Sequence, residues 1–298
     1  MSTSTDLARS YIKYLIESGV SNFVLSPGSR NAPLSIALND AFEKGLINLH
    51  VKLDERGAAY FALGISKATD SYVAVICTSG TAVANYAPAA LEAFHGDDKV
   101  IFLTADRPAR LRKTGANQTT NQVDIFNGIK THDIATFEEI RFENGPIHIN
   151  LQFDEPLLST SSNDWLSGIH RIETKLNTTT REKLSVVGNG LIVVGHDKGG
   201  FSVEAIEKFA DGLVLISEDP LSFKGAISHA SVFLADEKVR DYLKPDYVIV
   251  IGRTTLSRSI NAFVASAPRQ YVIDSRIKRI DTSRSATQLF ENLPELDI

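Results

Sequence analysis

The sequence is poor in cysteine and has no long run of apolar residues. Cys77 is the only cysteine among 298 residues, so no disulfide framework can form within the chain, which fits a reducing cytoplasm. No stretch approaches the roughly 18 uninterrupted apolar residues of a membrane span, and the first residues lack the segments of a signal peptide. The net charge of -5, with acids and bases interspersed, argues against a nucleic-acid partner. These absences predict a soluble cytoplasmic protein.

Several motifs with well-defined chemistry are also missing. The seven histidines are scattered, without a helical pair, a Cys/His cluster or an aspartate-rich loop, so no metal site is predicted within this chain. There is no Gly-x-Ser-x-Gly nucleophile turn and no Gly-Lys-Ser/Thr phosphate loop. The glycines of residues 195–200 lack the register of a dinucleotide fingerprint. The chemistry must therefore come from other residues.

The sequence does contain a regular alternation of apolar runs and helical patterns. Hydrophobic residues make up 43% of the chain and charged residues 22%, a composition that can bury two cores. The alternation predicts parallel sheets with right-handed crossovers. The predicted fold class is α/β, with two three-layer α/β/α domains and mainly parallel sheets. We expect the first domain at residues 1–160, a polar linker at 161–185 and the second domain at 186–298.

In the first domain, each predicted strand leads into a polar loop. Strands are predicted at residues 22–25, 49–53, 72–77, 100–104 and 146–151. The last of these is expected to close the sheet. Helices are predicted from Leu7 to about Gly19, from about Pro33, from Glu55 and over about 82–94. Residues 110–124 carry amides and hydroxyls but few large apolar side chains, which predicts a functional loop.

A second alternation begins at Gly190. Strands are predicted at residues 190–195, 213–216, 247–251 and 271–273, with a helix at 203–210. The strand at 271–273 is expected to be the last. A helix is expected to close this domain before Pro294.

Two acids, Asp54 and Glu55, occupy the junction between the second strand and its helix. In an open α/β sheet this junction faces the ligand crevice beyond the carboxyl ends of the strands, so an acid there is well placed for chemistry. The alternative is that both acids only cap the helix and complement its dipole. Adjacent side chains leaving a strand point in opposite directions, which favours a structural role for Asp54, and on this local pattern alone the role of Glu55 stays open.

Six segments, in this order, resemble a known family. They are Ser-Pro-Gly-Ser-Arg-Asn-Ala-Pro-Leu at 26–34, Asp-Glu-Arg at 54–56, Thr-Ser-Gly-Thr-Ala-Val-Ala-Asn at 78–85, Thr-Ala-Asp-Arg-Pro at 104–108, Gly-Ala-Asn-Gln at 115–118, and His-Ile-Asn at 148–150 with Glu-Pro-Leu at 155–157. Together they resemble the amino-terminal half of the SEPHCHC synthase family, the thiamine diphosphate enzymes of menaquinone biosynthesis. The second domain resembles the family's central domain in its layout and in Gly-Arg-Thr-Thr-Leu-Ser-Arg at 252–258.

The resemblance implies roles for individual residues. Glu55 is the implied catalytic residue, whose carboxyl group hydrogen-bonds the aminopyrimidine ring of thiamine diphosphate. Arg30 and Arg107 match the family's substrate arginines, and guanidinium groups suit the dianionic substrates 2-oxoglutarate and isochorismate. The other implied residues are the substrate-binding Ser29, Asn117 and Gln118, and the cofactor-binding Pro27, Gly28, Thr78, Ser79, Gly80 and Thr81.

Three further polar residues of these segments are assigned structural roles. Arg56 and Arg110 are expected at the surface or in ion pairs, which contribute little to stability or function. His148 is expected to be a histidine with satisfied hydrogen bonds near the sheet.

The family pattern also implies parts that these residues do not supply. Thiamine diphosphate enzymes hold the diphosphate through Mg²⁺ with a Gly-Asp-Gly segment, and none occurs in this sequence. A diphosphate-binding domain is therefore expected in cis or in trans. The chain is expected to be a truncated or split amino-terminal portion that is inactive alone. The resemblance further implies a homodimer or a higher homo-oligomer.

Three functions stay open on the sequence alone. The first is the amino-terminal part of a SEPHCHC synthase. The second is a non-catalytic anion-binding or regulatory module, in which Arg253 and Arg258 could form a second anion site. The third is part of another thiamine diphosphate decarboxylase or synthase, whose loops would not need Arg30, Arg107 and the amide pair together.

Overall fold

Two compact units make up the chain. The computed structural model describes residues 3–159, 164–170, 182–275, 281 and 285–297. Contacts divide the chain into Met1–Lys175 and Leu176–Ile298. Much of the predicted linker at 161–185 lies outside the described residues. Within it, Trp165 and Leu166 pack against the core of the first unit.

The first unit alternates strands with helices. Its elements are α1 (Ser4–Glu17), β1 (Asn22–Leu25), α2 (Ala32–Glu43), β2 (Asn48–Val51), α3 (Glu55–Thr69), β3 (Val73–Cys77), α4 (Thr81–Ala84), α5 (Ala87–Gly96), β4 (Val100–Asp106), β5 (Thr131–Ile134) and β6 (Ile147–Gln152). The sheet order is β2-β1-β3-β4-β6-β5, and every neighbouring pair is parallel. The expectation that the strand at 146–151 closes the sheet is wrong, because β5 lies outside β6.

Alternate residues of the strands serve the two faces of this sheet. Phe23 and Leu25 of β1 pack with residues of α1 and α2, whereas Val24 packs with residues of α3 and α5. Strands covered on both faces have no solvent side, which explains why β3 and the first four residues of β4 are continuous apolar runs. The three-layer arrangement follows directly from this double coverage.

The helix predicted over 82–94 is two helices. α4 ends at Ala84, and α5 begins at Ala87 with Pro88 in its first turn. Proline has no N–H to continue the hydrogen-bond ladder and disfavours a helical conformation at the residue before it. Pro88 therefore explains the break.

The second unit is a smaller parallel α/β structure. Its elements are β7 (Lys183–Ser185), β8 (Gly190–Val194), α6 (Val203–Phe209), β9 (Val214–Ser217), α7 (Ala230–Phe233), α8 (Glu237–Tyr242), β10 (Tyr247–Ile251), α9 (Arg258–Ser266), β11 (Gln270–Ile273), β12 (Gln288–Phe290) and β13 (Glu295–Asp297). The main sheet has the order β12-β11-β10-β8-β9, and β13 pairs with β7. Residues of α6 pack on one face, and residues of α7 and α9 on the other.

The predicted α/β class is confirmed, but the end of the second unit differs from the prediction. The strand at 271–273 is not the last one, because β12 and β13 follow it. Directly before Pro294, where the sequence predicts a helix that closes the unit, the described residues form β12 at Gln288–Phe290 instead, and residues 276–280 and 282–284 lie outside the described residues. Both strands are three residues long, too short to show a hydrophobic period in the sequence.

Candidate active site

The order of the first sheet creates a crevice between β1 and β3. From β1 the chain moves to β2 on one side, and it returns to β3 on the other side. The loops after β1 and β3 therefore leave the sheet in opposite directions. In open α/β sheets, ligands bind at this switch point, outside the carboxyl ends of the strands. Residues 26–31 and 78–80 form the two loops here, and Glu55 follows the neighbouring strand β2.

Glu55 is the first residue of α3, and the capping of this helix falls to its neighbour. The Asp54 carboxylate accepts a hydrogen bond of 2.7 Å from the Gly57 N–H, which confirms its structural role. The Glu55 side chain is half-buried and forms no ion pair with any residue that the structure describes. Burial and the neighbouring Cys77 thiol raise the pKa of the buried Tyr86 hydroxyl, and the charge of Glu55 makes a smaller contribution in the same direction.

Two buried hydroxyls near Glu55 lack hydrogen bonds. Ser26 Oγ at the end of β1 and Tyr86 Oη have no hydrogen-bond partner of normal geometry, although they lie near each other and near the Cys77 thiol. Burial also raises the pKa of this thiol, with a smaller contribution from Glu55. Unpaired polar groups in an interior are rare and require an explanation. Here they form a buried polar cluster on which the Glu55 carboxylate acts.

The loops after β1 and β3 contact each other closely. A Cβ atom on Gly28 would lie 2.5 Å from Thr78 Cβ, so only glycine permits this approach. The Arg30 N–H donates to Thr78 Oγ1 at 3.3 Å. Gly80 has a φ of 84°, and a Cβ there would lie 2.8 Å from the Gln118 side chain. The predicted cofactor residues Gly28, Thr78 and Gly80 are thus brought together.

Arg107 extends from the end of β4 toward the same loops. Its Nη1 donates to Ser79 Oγ at 3.1 Å and to the Gln118 carbonyl oxygen at 2.9 Å. Burial lowers the pKa of this half-buried guanidinium, and the positive charge of Arg30 lowers it further. Two guanidinium groups that repel each other over a short distance favour a bound anion between them.

Arg30 is held in a similar way. Its Nη1 donates to the Phe153 carbonyl oxygen at 3.1 Å and lies 3.2 Å from Glu155 Oε1. The Arg30 side chain is 14% exposed, whereas that of Glu155 is 67% exposed. An ion pair with so exposed a partner is weak, so another anion can replace Glu155 at little cost.

The other predicted residues differ in how closely the structure ties them to this cluster. Gln118 belongs to it, because its Nε2 donates to the Ser79 carbonyl oxygen at 2.9 Å. Ser29 and Asn117 are exposed, and no side-chain hydrogen bond of either is found among the described residues. Two of the predicted cofactor residues, Pro27 and Thr81, are exposed as well.

A buried polar network adjoins Arg107, and the sequence analysis missed it. Its members are Thr104, Asp106, Arg112, Gln122, Asp133, His148, Asn150 and Gln152. The sequence did hold a signal for it, because polar residues at 104 and 106 in β4, and at 148, 150 and 152 in β6, alternate within otherwise apolar strands. Such alternation places them on one face of the sheet.

Charges within the network compensate one another. Burial raises the pKa of Asp106, although a hydrogen bond from Asn150 and the charge of Arg112 oppose this. Burial also acts to raise the pKa of Asp133, but hydrogen bonds from Arg112 and Asn150 lower it overall. The Asp133 hydrogen bonds raise the pKa of Arg112. Within the network, one guanidinium, that of Arg112, therefore serves two carboxylates, those of Asp106 and Asp133.

The structural roles assigned from the sequence agree with the contacts. His148 is fully buried, and its two ring nitrogens lie 2.9 Å from the hydroxyls of Thr104 and Thr131, which confirms the prediction. Burial lowers the pKa of His148 to about 3. Arg110 is exposed and paired with Asp154, also as predicted.

The second unit shows less convergence of charge. Arg253 Nε lies 3.7 Å from Asp197 Oδ2, so this guanidinium already has a carboxylate close by. Arg258 is exposed at the start of α9. The suggested second anion site at these two residues stays a prediction.

The described residues offer neither a metal site nor a membrane-spanning helix. They contain no group of three or more histidine, cysteine, aspartate or glutamate side chains placed to hold a metal ion. Over the same residues, no helix is both long and apolar enough to cross a membrane.

Comparisons with known proteins define the class of the first unit. Residues 5–125 match the family model of the thiamine pyrophosphate enzyme N-terminal TPP binding domain. This range contains the crevice, Glu55 and both arginines. Over these residues the first unit is therefore similar to the N-terminal domain of thiamine pyrophosphate enzymes.

Curated relatives specify the family further. The chain is 38% identical over 284 residues to the 2-succinyl-5-enolpyruvyl-6-hydroxy-3-cyclohexene-1-carboxylate (SEPHCHC) synthase of Nocardioides sp., an alignment that covers 91% of this chain and 50% of that protein. It is 35% identical over 305 residues to the synthase of the same name from Saccharopolyspora erythraea, covering 90% and 54%. For the Bacillus cytotoxicus synthase the values are 35% over 298 residues, 85% and 50%. The chain is thus a relative of the SEPHCHC synthases and spans about half the length of those it matches.

Proposed function

We propose that this chain is the pyrimidine-binding and central part of a SEPHCHC synthase of menaquinone biosynthesis. In this proposal the complete enzyme decarboxylates 2-oxoglutarate and transfers the remaining four-carbon unit to isochorismate. The observation that supports it is that Arg30 and Arg107 lie close enough to act on each other's charge at the loops around the crevice, while Glu55 begins the helix after the neighbouring strand β2. A site for two dianions next to a half-buried carboxylate suits this reaction better than a decarboxylase with an uncharged substrate.

In this proposal the crevice binds the aminopyrimidine ring of thiamine diphosphate. Bound thiamine diphosphate supplies the carbanion chemistry for decarboxylation and carbon–carbon bond formation. Glu55 would share a proton with a ring nitrogen of the cofactor, and the unpaired hydroxyls of Ser26 and Tyr86 would provide further hydrogen bonds. The close contact between Gly28 and Thr78 shapes the wall of the crevice.

The two arginines would bind the substrate carboxylates. Both already use Nη1 for bonds to the protein, which fixes the guanidinium planes before substrate arrives. Preorganised donors cost little reorganisation during reaction, and this is the main source of electrostatic catalysis. Gln118 would then position Arg107 through its carbonyl oxygen, and the exposed Asn117 and Ser29 would contact substrate directly.

The proposal requires polypeptide that supplies the diphosphate and Mg²⁺ site. We propose that a diphosphate-binding domain provides it, from the same chain or from a partner chain, in a homodimer or a higher homo-oligomer. Oxygen ligands from such a domain suit Mg²⁺, a hard cation.

Reconstitution tests the proposed function. The chain is mixed with a separately produced diphosphate-binding domain of a curated relative, thiamine diphosphate and Mg²⁺, and product formation from 2-oxoglutarate and isochorismate is measured. We expect turnover that falls by at least about 100-fold in Glu55→Gln, because the amide cannot share its proton in the same way. The exposed Glu139→Gln serves as the matched control and should retain turnover. Absence of turnover with the unaltered chain, or full turnover with Glu55→Gln, would contradict the proposal.

A further inference from the structure

Gln122 connects two parts of the candidate site from the interior. Its side chain is fully buried in the loop between β4 and β5. Oε1 accepts a hydrogen bond of 3.0 Å from the Gly80 N–H. Nε2 donates to the Ala105 carbonyl oxygen at 3.2 Å and to Asn150 Oδ1 at 2.8 Å. One amide group therefore uses its acceptor and both of its donor hydrogens.

The turn that Gln122 holds has an unusual backbone conformation. Gly80 has φ 84° and ψ −138°, a region that is accessible essentially only to glycine. Gln118 holds the preceding residue from the other side, since it donates to the Ser79 carbonyl oxygen and accepts from Ser79 Oγ. Two glutamines thus fix the turn, and only Gln122 does so from within the core.

The hydrogen bonds continue from Gln122 to Arg107. Asn150 Nδ2 donates to Asp106 Oδ2 at 3.0 Å, and Asp106 Oδ1 accepts from the Arg107 N–H at 2.7 Å. The path from the Gly80 turn to the Arg107 backbone therefore has no gap. Removing a buried, fully hydrogen-bonded amide from such a network leaves its partners unpaired, and that is costly in an interior.

We propose that Gln122 is a positioning residue that fixes the Gly80 turn and, through Asn150 and Asp106, the backbone of Arg107. The functional part of this inference rests on the proposed role of Arg107 in binding a dicarboxylate. Gln122 itself contacts no substrate. Its effect reaches the ligand through the direction in which Arg107 and Ser79 present their donors.

Gln122→Met tests the positioning role, because methionine has a similar volume and no amide. We expect the Gly80 and Arg107 amides to exchange with deuterium at least about 10-fold faster than in the unaltered chain, in hydrogen-exchange experiments on the full chain. Affinity for 2-oxoglutarate, measured by calorimetry, should fall by at least about 10-fold. Gln270→Met is the matched control, since Gln270 bonds Ala267 and Ser285 in the second unit. Gln270→Met should change neither the exchange rates of these two amides nor the affinity for 2-oxoglutarate.

Gln122→Glu provides a second variant in case the methionine variant does not fold. A carboxylate keeps the acceptor for Gly80 but places negative charge against two oxygen atoms, those of Ala105 and Asn150. Burial raises the pKa of such a carboxyl group, and its protonated form can donate again. The deficit in 2-oxoglutarate affinity relative to the unaltered chain should therefore shrink as the pH falls from 7.5 to 5.5. A deficit that does not depend on pH would indicate a merely structural role and overturn the inference.

The outcomes separate this inference from the proposed function. Unchanged exchange at Gly80 and Arg107 in Gln122→Met overturns the positioning role, whatever the activity. Faster exchange at both amides supports it. If the unaltered chain fails to bind 2-oxoglutarate while the exchange rates respond, the substrate role of Arg107 fails and the positioning of its backbone stands.

Discussion

At the scale of single residues, we expect the loss of the Arg107 side chain to weaken substrate binding most. Arg107→Ala removes a half-buried guanidinium that is held by Ser79 and Gln118. We expect the reconstituted enzyme to lose about 2–4 kcal/mol of substrate binding, seen as a higher KM, because a charged hydrogen-bonded contact is lost. Arg110→Ala, which removes only an exposed ion pair, should change KM little. Equal kinetics for both variants would refute the assignment of Arg107.

His148 should make the stability of the first unit depend on pH. Its pKa is about 3 in the folded state and about 6.5 in an unfolded chain. Between these values the unfolded state binds a proton that the folded state does not, so the free energy of unfolding falls as the pH decreases. The slope from this one group is at most about 1.4 kcal/mol per pH unit. Asp133 and His132 are the charged neighbours that modify it, in opposite directions.

A substitution isolates this contribution. His148→Gln can still bond both threonine hydroxyls but has no proton to gain, so its unfolding free energy should fall less steeply between pH 6.5 and pH 4. Urea unfolding at several pH values measures the difference. The exposed His170→Gln should keep the slope of the unaltered chain. A slope in His148→Gln as steep as that of the unaltered chain would contradict the prediction.

Residues that act locally could be predicted from the sequence, and residues that act through distant partners could not. The capping role of Asp54 follows from its place before a helical pattern, and the structure confirms it. Gln122 has partners at 80, 105 and 150, which no local pattern connects. The chemical role of Glu55 stays a prediction, although its half-buried position is the one that such a role requires.

At the scale of elements, the contact between the loops after β1 and β3 depends on Gly28. A Cβ there would lie 2.5 Å from Thr78 Cβ, so Gly28→Ala must push the two loops apart. We expect a loss of about 1–3 kcal/mol in unfolding free energy, as for other overpacked sites, together with weaker binding of thiamine diphosphate in the reconstituted enzyme. Calorimetry and denaturant unfolding measure the two effects.

Gly64→Ala is the control for that substitution. Gly64 lies in α3, where an added Cβ meets nothing within 4 Å. Alanine should stabilise this helix by about 0.5–1 kcal/mol. If Gly28→Ala behaved in the same way, the close approach of the loops would be wrong.

Elements were predictable where burial on both faces gave continuous apolar runs. β1, β3, β4, β8 and β10 are of this kind. β5 was missed because Thr-His-Asp-Ile at an edge of the sheet mixes polar residues into the strand to serve the buried network. Pro88 signalled the break between α4 and α5, but the small apolar residues around it led to the prediction of one continuous helix.

At the scale of the whole molecule, the two units should respond separately to damage in their cores. Phe102 in β4 and Phe290 in β12 are both fully buried, one in each unit. Replacing either with alanine should cost about 3–5 kcal/mol, from lost burial and the cavity that remains. We expect hydrogen exchange to accelerate only in the unit that carries the substitution. Equal acceleration in both units by either variant would show that they unfold as one.

The division into two α/β units was predictable because the alternation of apolar runs restarts at Gly190. The sequence did not predict β12 and β13 for the same reason that it did not predict β5. Short strands at the edge of a sheet show little hydrophobic pattern. The long, buried elements are therefore sufficient to predict the fold class, whereas the short strands at the sheet edges are not predictable from the sequence.

The pairing of β13 with β7 joins the first and last strands of the second unit, with Glu295 opposite Lys183 and Asp297 opposite Ser185. Leu184 and Leu296 lie opposite each other at the centre of this pair, and both pack into the same hydrophobic core. The two-stranded sheet is therefore anchored to the interior of the second unit by one pair of leucines, and the charged and polar pairs on either side of it face outward.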